Sequence, residues 1–238
     1  MTLAAKHLSL SPWQNATFGP GNMLTKVASA AEGLELERKL FEAEGTQIAF
    51  WTSQSPGLVC PRAYESRPGL DQALVSSAAR GWPVDLRPTG GGTVPQGPSI
   101  DNVVVTFNAA QGATINSVYR DFTDALRRGL GPKAQSLEPG DTPGSFCDGS
   151  WNLSLGGQKI VGTAQRWRPQ RGKTPRVIAH AVILTRQGFE PGAAAVASFH
   201  ADLGLPPVHA GVHISLEETL GLTELPEKAL ENALKTVF

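Results

Sequence analysis

A thiol, an amine and a tight turn lie within one short stretch of the sequence, residues 145–166. Cys147 follows a proline- and glycine-rich segment, and Lys159 begins a strand-like run twelve positions later. A cysteine on a loop held by a rigid sheet is a common way to present a nucleophile. A free thiol ionises at a pKa of about 8.5, so it needs a positive neighbour at neutral pH, and Lys159 is the nearest candidate. Lys159 could equally steady an oxyanion.

The two residues meet only if the chain between them turns back. Asn152–Leu155 and Lys159–Trp167 are predicted as the strands of a hairpin joined by a three-residue, glycine-containing loop. In an even register Cys147 would lie roughly 26 Å along the strand from Lys159. Folding back of residues 143–149 would bring them together, and the prolines and glycines of that segment permit it.

Other reactive side chains have a simpler interpretation. Cys147 itself could be a buried, inert thiol, and Cys60 lies in an apolar run that is predicted to be core. His180 lies in an apolar strand, where a histidine is either a core residue or part of a site. His209 and His213 are spaced like two metal ligands on a helix, but Gly211 and the lack of a third ligand nearby argue against it. We therefore predict no metal site.

A glycine-rich segment is the second candidate for chemistry. Arg87–Val94 contains the three consecutive residues Gly90, Gly91 and Gly92. Without side chains, their backbone amides could wrap closely around a phosphate or an acyl group. A flexible turn is the alternative interpretation, since glycine runs are common.

Hydrophobic periodicity predicts the elements that must position these residues. The predicted helices are Leu34–Glu44, Gly69–Arg80, one running from Ile115 to Leu126, and three short ones within residues 193–238. The predicted strands are Gln47–Trp51, Leu58–Cys60, Trp82–Leu86, Asn102–Phe107, Val177–Thr185 and the two of the hairpin. Their irregular alternation indicates an α+β fold with a mixed, mostly antiparallel sheet flanked by helices. Residues 1–31 are predicted to form an irregular arm of a single domain, 1–238.

Composition narrows the class of protein. The 238 residues can bury a core, and the equal numbers of basic and acidic residues, 21 each, predict no nucleic-acid or membrane partner. Two cysteines cannot build a disulfide scaffold, and neither a signal peptide nor a membrane span is evident, so we expect a cytoplasmic protein. The basic stretch 166–176 is expected to be a proline-broken turn, either solvated or contacting an acidic partner surface.

Two motifs together resemble a known superfamily. Residues 145–153 followed by 158–166 are similar to the cysteine-containing motif of the lipoyl/octanoyl amidotransferases. These belong to the lipoate–protein ligase A superfamily, which includes the biotin–protein ligase catalytic domain. Arg87–Val94 with Asn102 resembles its glycine-rich lipoyl-binding loop. The motifs occur in the family's order, and the resemblance spans about residues 30–220.

The resemblance implies a mixed sheet with an elongated apolar tunnel for a medium-length acyl chain. By position, Cys147 matches the nucleophile that forms an acyl thioester, and Lys159 matches the lysine that hydrogen-bonds the acyl carbonyl or an adenylate. The residues implied to bind substrate are Arg87, Thr89, Gly90, Gly91, Gly92, Asn102, Gly162, Thr163, Ala164 and His180.

Three functions follow from the resemblance. The first is transfer of an octanoyl or lipoyl group through Cys147 onto the lysine of a lipoyl-carrier protein, with an acylated carrier as donor and no cofactor. The second is a lipoate–protein ligase that uses ATP and Mg²⁺. The third is a non-catalytic binder of acylated carriers. Gln96-Gly97 replaces the His-Asp that follows the glycines in many ligases, and the chain has no room for their accessory domain, so the transferase is favoured.

Overall fold

The computed structural model describes residues 23–238 as an α+β fold. The strands are β1 Leu24–Val27, β2 Gln47–Ser53, β3 Gly57–Pro61, β4 Val84–Arg87, β5 Val94–Gln96, β6 Ile100–Asn108, β7 Glu138–Gly140, β8 Asn152–Leu155, β9 Gln158–Gln170 and β10 Lys173–Leu184. The α-helices are α1 Ala30–Glu42, α2 Leu70–Ala79, α3 Ile115–Leu130, α4 Glu190–Asp202, α5 Leu216–Leu220 and α6 Glu227–Lys235. Short 3₁₀ helices occupy Arg62–Ser66, Pro132–Ser136 and Ala210–Val212.

Two sheets carry the two motifs. The larger sheet has seven strands in the order β1-β2-β6-β10-β9-β8-β7, and the smaller one has three in the order β4-β3-β5. Only β1 with β2 and β3 with β4 pair in parallel among the described strands. The predicted mixed, mostly antiparallel sheet is therefore confirmed. β9 and β10 form the long central hairpin, and the glycine-rich segment joins β4 to β5.

Helix α3 covers one face of the larger sheet. Its apolar residues recur at helical spacing, and Val118, Phe122 and Leu126 are buried in a core with the central strands. A capping box between Thr114 and Ser117 starts the helix. Helix α6 crosses α3 where Gly129 leaves room for Leu230.

On the opposite side, a second core joins the small sheet to α2 and α4. Helix α1 packs nearby, where the Trp51 ring lies over Gly33 and its Nε1 donates to Glu37. The Glu37 side chain is buried. The carboxylate is tolerated inside because it has hydrogen-bond partners there.

Three expectations from the sequence were wrong in detail. The predicted arm 1–31 includes β1 and the start of α1, because residues 24–27 pair with β2; residues 1–22 lie outside the described part of the chain. The hairpin turn has two residues instead of three, since Leu155 pairs with Gln158.

The basic stretch 166–176 is also different from the expectation. It continues β9 and begins β10, and its turn is confined to two residues between them. The guanidinium groups of Arg166 and Arg168 lie over the Phe41 ring, and that of Arg176 donates to backbone carbonyls of α1 and the following turn. These contacts give the arginines partners in an ordered strand. Within residues 23–238 no helix is long and apolar enough to cross a membrane.

Candidate active site

The segment before β8 folds back, which brings Cys147 to Lys159. Asp148 Oδ1 accepts hydrogen bonds from the backbone N–H groups of Thr142 at 2.6 Å and Gly149 at 2.9 Å, and this closes the loop. Asn152 at the start of β8 donates to the Cys147 carbonyl at 3.0 Å. Cys147 has φ 47°, and among the described residues no other non-glycine residue has a positive φ. This conformation costs roughly 1–3 kcal/mol, so the surrounding contacts must hold it.

Lys159 is 1% exposed and holds the cysteine loop from within the sheet. Its Nζ donates to the carbonyls of Phe146 and Cys147, the latter at 2.8 Å. Burial lowers the pKa of Lys159 to about 8, although the charges of Cys147 and Asp148 favour the ammonium. The lysine is thus an amine that can exchange a proton near neutral pH.

The Cys147 thiol lies among positive groups. Its Sγ accepts a hydrogen bond from Gly92 N–H at 3.1 Å, and Arg87 Nη2 lies 3.8 Å away. Burial alone would favour the neutral thiol, but Lys159, Arg87 and the Gly92 N–H outweigh it and lower the pKa of Cys147. By contrast, burial raises the pKa of Cys60 to about 11, which agrees with its prediction as a core residue.

Arg87 joins the glycine-rich segment to the small sheet. Its guanidinium donates to the carbonyls of Val59 at 3.0 Å, Gly90 at 3.0 Å and Gly92 at 2.7 Å. A Cβ added at Gly91 would lie 2.7 Å from Cys147 Sγ, so the segment must be free of side chains to approach the thiol. The glycine-rich segment therefore brings the Gly92 N–H and the Arg87 guanidinium to the cysteine.

A small cavity of about 20 Å³ lies beside the thiol. This volume admits about one water molecule. Its apolar walls are Leu34, Trp51, Val59, Val94, Ala164 and Val182. Its polar or glycine lining is Glu37, Arg87, Gln96, Asn102, Cys147, Gly162, Thr163 and His180. The lining thus surrounds the thiol with the apolar side chains that a bound acyl chain would contact, and these walls would have to move apart to admit the chain.

Polar groups on the cavity wall are paired with each other. His180 Nδ1 lies 2.9 Å from Glu37 Oε2 and its Nε2 lies 3.1 Å from Thr89 Oγ1. Gln96 and Asn102 exchange two amide hydrogen bonds, of 3.1 and 2.9 Å. The polar side chains of these pairs therefore have hydrogen-bond partners within the wall, as buried polar groups require.

Most of the predicted site residues gather here. Arg87, Asn102, Gly162, Thr163, Ala164 and His180 line the cavity, and Thr89 bonds to His180. The three glycines lie outside the lining, and only Gly91 and Gly92 approach Cys147. Lys159 lies behind the cysteine loop, against Gly162. Their catalytic and binding roles remain predictions.

Sequence reasoning missed Glu37, Trp51 and Asn152. It considered His213 only as a metal ligand and noticed Gln96 only as a departure from a family motif. For Glu37 the sequence did contain a signal, because this charged residue lies among the apolar positions of α1. His209 and His213 both contact the cysteine loop. No group of three or more potential metal ligands occurs within residues 23–238.

The chain is similar in sequence to an uncharacterized protein and to several octanoyltransferases. No family model matches the chain. An uncharacterized protein of Cupriavidus necator is 36% identical over 159 residues, which cover 61% of this chain and 63% of that protein. An octanoyl-GcvH:protein N-octanoyltransferase of Kyrpidia tusciae is 30% identical over 142 residues, covering 57% of this chain and 49% of the enzyme. The matched segment thus spans less than two thirds of either relative.

Two solved structures share the fold. A lipoate-protein ligase A bound with ATP superposes with a TM-score of 0.61 and 17% identity, covering 90% of this chain and 83% of that one. A bi-partite lipoate protein ligase from Thermoplasma acidophilum, studied with its E2 lipoyl domain, gives 0.58 and 17%, covering 90% and 81%. At these identities the likeness defines the fold.

Proposed function

We propose that the chain is a member of the superfamily of lipoate–protein ligases and octanoyltransferases, and that it moves an octanoyl or lipoyl group between carrier proteins through a Cys147 thioester. The observation that carries the proposal is the Cys147 thiol, held beside two cations at the edge of an apolar cavity. The acceptor is the lysine of a lipoyl-carrier domain. The names of the similar octanoyltransferase and of the ligase with its E2 lipoyl domain support this choice of partner.

The transfer takes two steps. The Cys147 thiolate attacks the acyl carbonyl of the donor, the bond from that carbon to the donor's heteroatom breaks, and the departing heteroatom takes up a proton. The amine of the acceptor lysine then attacks the thioester, its nitrogen loses a proton, and the thiolate leaves. The Gly92 N–H contacts the sulfur, and the charge of Lys159 acts on it from the Cys147 carbonyl, so both could stabilise the oxyanion of either step. Neither step needs ATP.

Intact mass spectrometry tests the proposal. The protein is incubated with an octanoylated lipoyl-domain donor without ATP, beside Cys147→Ala and the matched control Cys60→Ala. We expect an octanoyl adduct that hydroxylamine releases, on the unaltered protein and Cys60→Ala but not on Cys147→Ala. Loss of the adduct from Cys147→Ala alone identifies the thioester.

Two other outcomes would replace the proposal. Modification of an acceptor domain only when ATP and free lipoate are present would make the protein a ligase, in which Cys147 has no covalent role. Binding of the acylated donor with neither adduct nor transfer would make it a non-catalytic binder.

A further inference from the structure

A buried histidine supports the cysteine loop from the side away from the cavity. His213 is 4% exposed, and its ring stacks on Phe146 with centroids 4.2 Å apart and planes at 12°. Its Nδ1 lies 3.2 Å from the Ala210 carbonyl, which can only accept, so Nδ1 carries the proton. Its Nε2 is then free to accept the Phe146 N–H at 3.1 Å. Burial lowers the pKa of His213 to about 4, which keeps this neutral form at neutral pH.

The same residue is tied to the strand of Lys159. The backbones of Lys159 and His213 form a parallel β-bridge, and Ile214 N–H donates to the Lys159 carbonyl at 3.0 Å. His213 therefore contacts the loop of Cys147 through its side chain and the strand of Lys159 through its backbone. It is not among the cavity-lining residues.

His213 holds Phe146, and Phe146 links the loop of Cys147 to Lys159. The carbonyl of Phe146 accepts a hydrogen bond from Lys159 Nζ, and the next residue is the left-handed Cys147. Asn152 and Lys159 fix the carbonyl of Cys147. On the amino-terminal side of the strained residue, the Phe146 N–H bond to His213 supplies the corresponding restraint.

We propose that His213 is a positioning residue, whose neutral ring fixes Phe146 so that the Cys147 thiol stays beside Lys159 and Arg87. The proposal rests on the proposed function for its role in acyl transfer, but its effect on the thiol can be measured separately. His213 acts through the backbone and contacts no reacting atom.

Two variants separate the hydrogen bond from the packing. His213→Phe keeps a ring to stack on Phe146 but has no acceptor for its N–H. His213→Gln loses the ring but can place an amide oxygen near the position of Nε2. Iodoacetamide alkylates the thiolate, so the rate of Cys147 alkylation measures how much of the thiol is ionised. We follow this rate by peptide mass from about pH 5 to about pH 10, a range that includes the usual thiol pKa. The matched control is His200→Phe, since His200 is also buried but bonds to Pro206.

We expect alkylation of His213→Phe at neutral pH to fall at least about tenfold, with its midpoint moved to higher pH, because the thiolate fraction falls tenfold per unit of pKa. His213→Gln should recover to within about threefold of the unaltered protein, and His200→Phe should match it. A folded His213→Phe with the original profile, or a His213→Gln as slow as His213→Phe, would overturn the proposal. If His213→Phe does not fold, His213→Met takes its place under the same criteria.

The octanoyl-adduct assay, run on the same samples, distinguishes the two proposals. Absence of an adduct on the unaltered protein would refute the transferase and leave the alkylation comparison valid. An adduct on the unaltered protein with equal alkylation in His213→Phe would retain the transferase and refute the positioning role.

Discussion

Each charged group at Cys147 compensates for the burial of another. Lys159 and Arg87 are both buried, and apart from the contact of Arg87 with Cys147 Sγ, their hydrogen bonds go to backbone carbonyls, which carry no net negative charge. A buried cation without a counter-charge is unfavourable. Asp148 and the Cys147 thiolate supply negative charge near Lys159, and the thiolate also lies against Arg87, so the cost of burying the two cations favours ionisation of the cysteine.

The pH dependence of Cys147 should differ between two reactions. Alkylation should rise as pH passes the lowered pKa of the thiol, below the usual value of about 8.5, and then stay constant. Octanoyl-adduct formation should rise over the same range but decline above the pKa of Lys159, about 8, because the ammonium that steadies the oxyanion loses its proton. Initial rates of both reactions against pH provide the measurement.

Lys159→Met is the informative variant for this prediction. Without the ammonium, the pKa of Cys147 should rise, and adduct formation at neutral pH should fall by about 10²-fold. Lys173→Met, which removes an exposed lysine from the start of β10, should change neither profile. Parallel decline of both reactions above pH about 8 would contradict the assignment of Lys159, since deprotonation of the lysine leaves the thiolate in place.

At the scale of elements, the glycine-rich segment has positions of unequal importance. A Cβ at Gly92 would lie 3.1 Å from Cys147 Cα, a backbone atom, and one at Gly91 would meet Sγ and require φ 99° of a residue with a side chain. A Cβ at Gly90 would meet nothing within 4 Å. Only the second and third glycines are constrained by contact with the cysteine.

Alanine substitutions should show this difference. We expect Gly91→Ala and Gly92→Ala to slow both alkylation and adduct formation at least about tenfold, since displacing the segment by a few tenths of an ångström removes the N–H from Sγ. Gly90→Ala should remain within about twofold of the unaltered protein because its space is open. Equal loss in all three variants would instead indicate that the segment needs general flexibility.

The elements with a clear period were predictable from the sequence. The stripe of α3 and the β-branched run of β6 are found at the predicted positions, because burial of one face fixes both patterns. The strand character of residues 166–176 was hidden by their charge, since arginines there find Phe41 and backbone carbonyls that the sequence does not reveal. Strand β1 was missed because its pairing partner lies beyond a helix.

The site was predictable in part for a related reason. Two motifs indicated Cys147, Lys159 and the glycines, since each has a recognisable local spacing. Glu37 and His213 contribute through contacts that cross more than 60 residues of sequence, as the separations of 143 between Glu37 and His180 and 67 between His213 and Phe146 show. Such contacts depend on the packing of elements, for which a single sequence has no local signal.

On the scale of the whole molecule, stability and site chemistry have separate locations. The core between α3, α6 and the larger sheet includes Gly129, where a Cβ would lie 2.7 Å from the backbone Cα of Leu230. The site lies in the other half, where the small sheet meets β9 and β10. A change in the α3–α6 contact should therefore alter the free energy of unfolding without altering the thiol.

Gly129→Ala tests this separation. Overpacking costs about 1–3 kcal/mol, and the better helix propensity of alanine returns about 1 kcal/mol, so we expect a net loss of about 1 kcal/mol. Urea unfolding measures that loss, and alkylation of Cys147 should keep its original pH profile. Gly140→Ala, where no atom lies within 4 Å of the added Cβ, is the control and should unfold like the unaltered protein. A slower alkylation in Gly129→Ala would show that the two halves are coupled.

The distribution of the site over two sheets also has a consequence for biosynthesis. Arg87 and Gly92 come from the small sheet, Cys147 and Lys159 from the larger one, and His213 from the segment before α5. While the chain is being synthesised, Cys147 leaves the ribosome well before His213 exists. Until the small sheet, the β9 strand and the cysteine loop have packed together, Arg87, Lys159 and the Gly92 N–H are not held around the sulfur, and the cysteine is an ordinary thiol. The lowered pKa of Cys147 is therefore a property of the assembled fold and of no single segment of the chain.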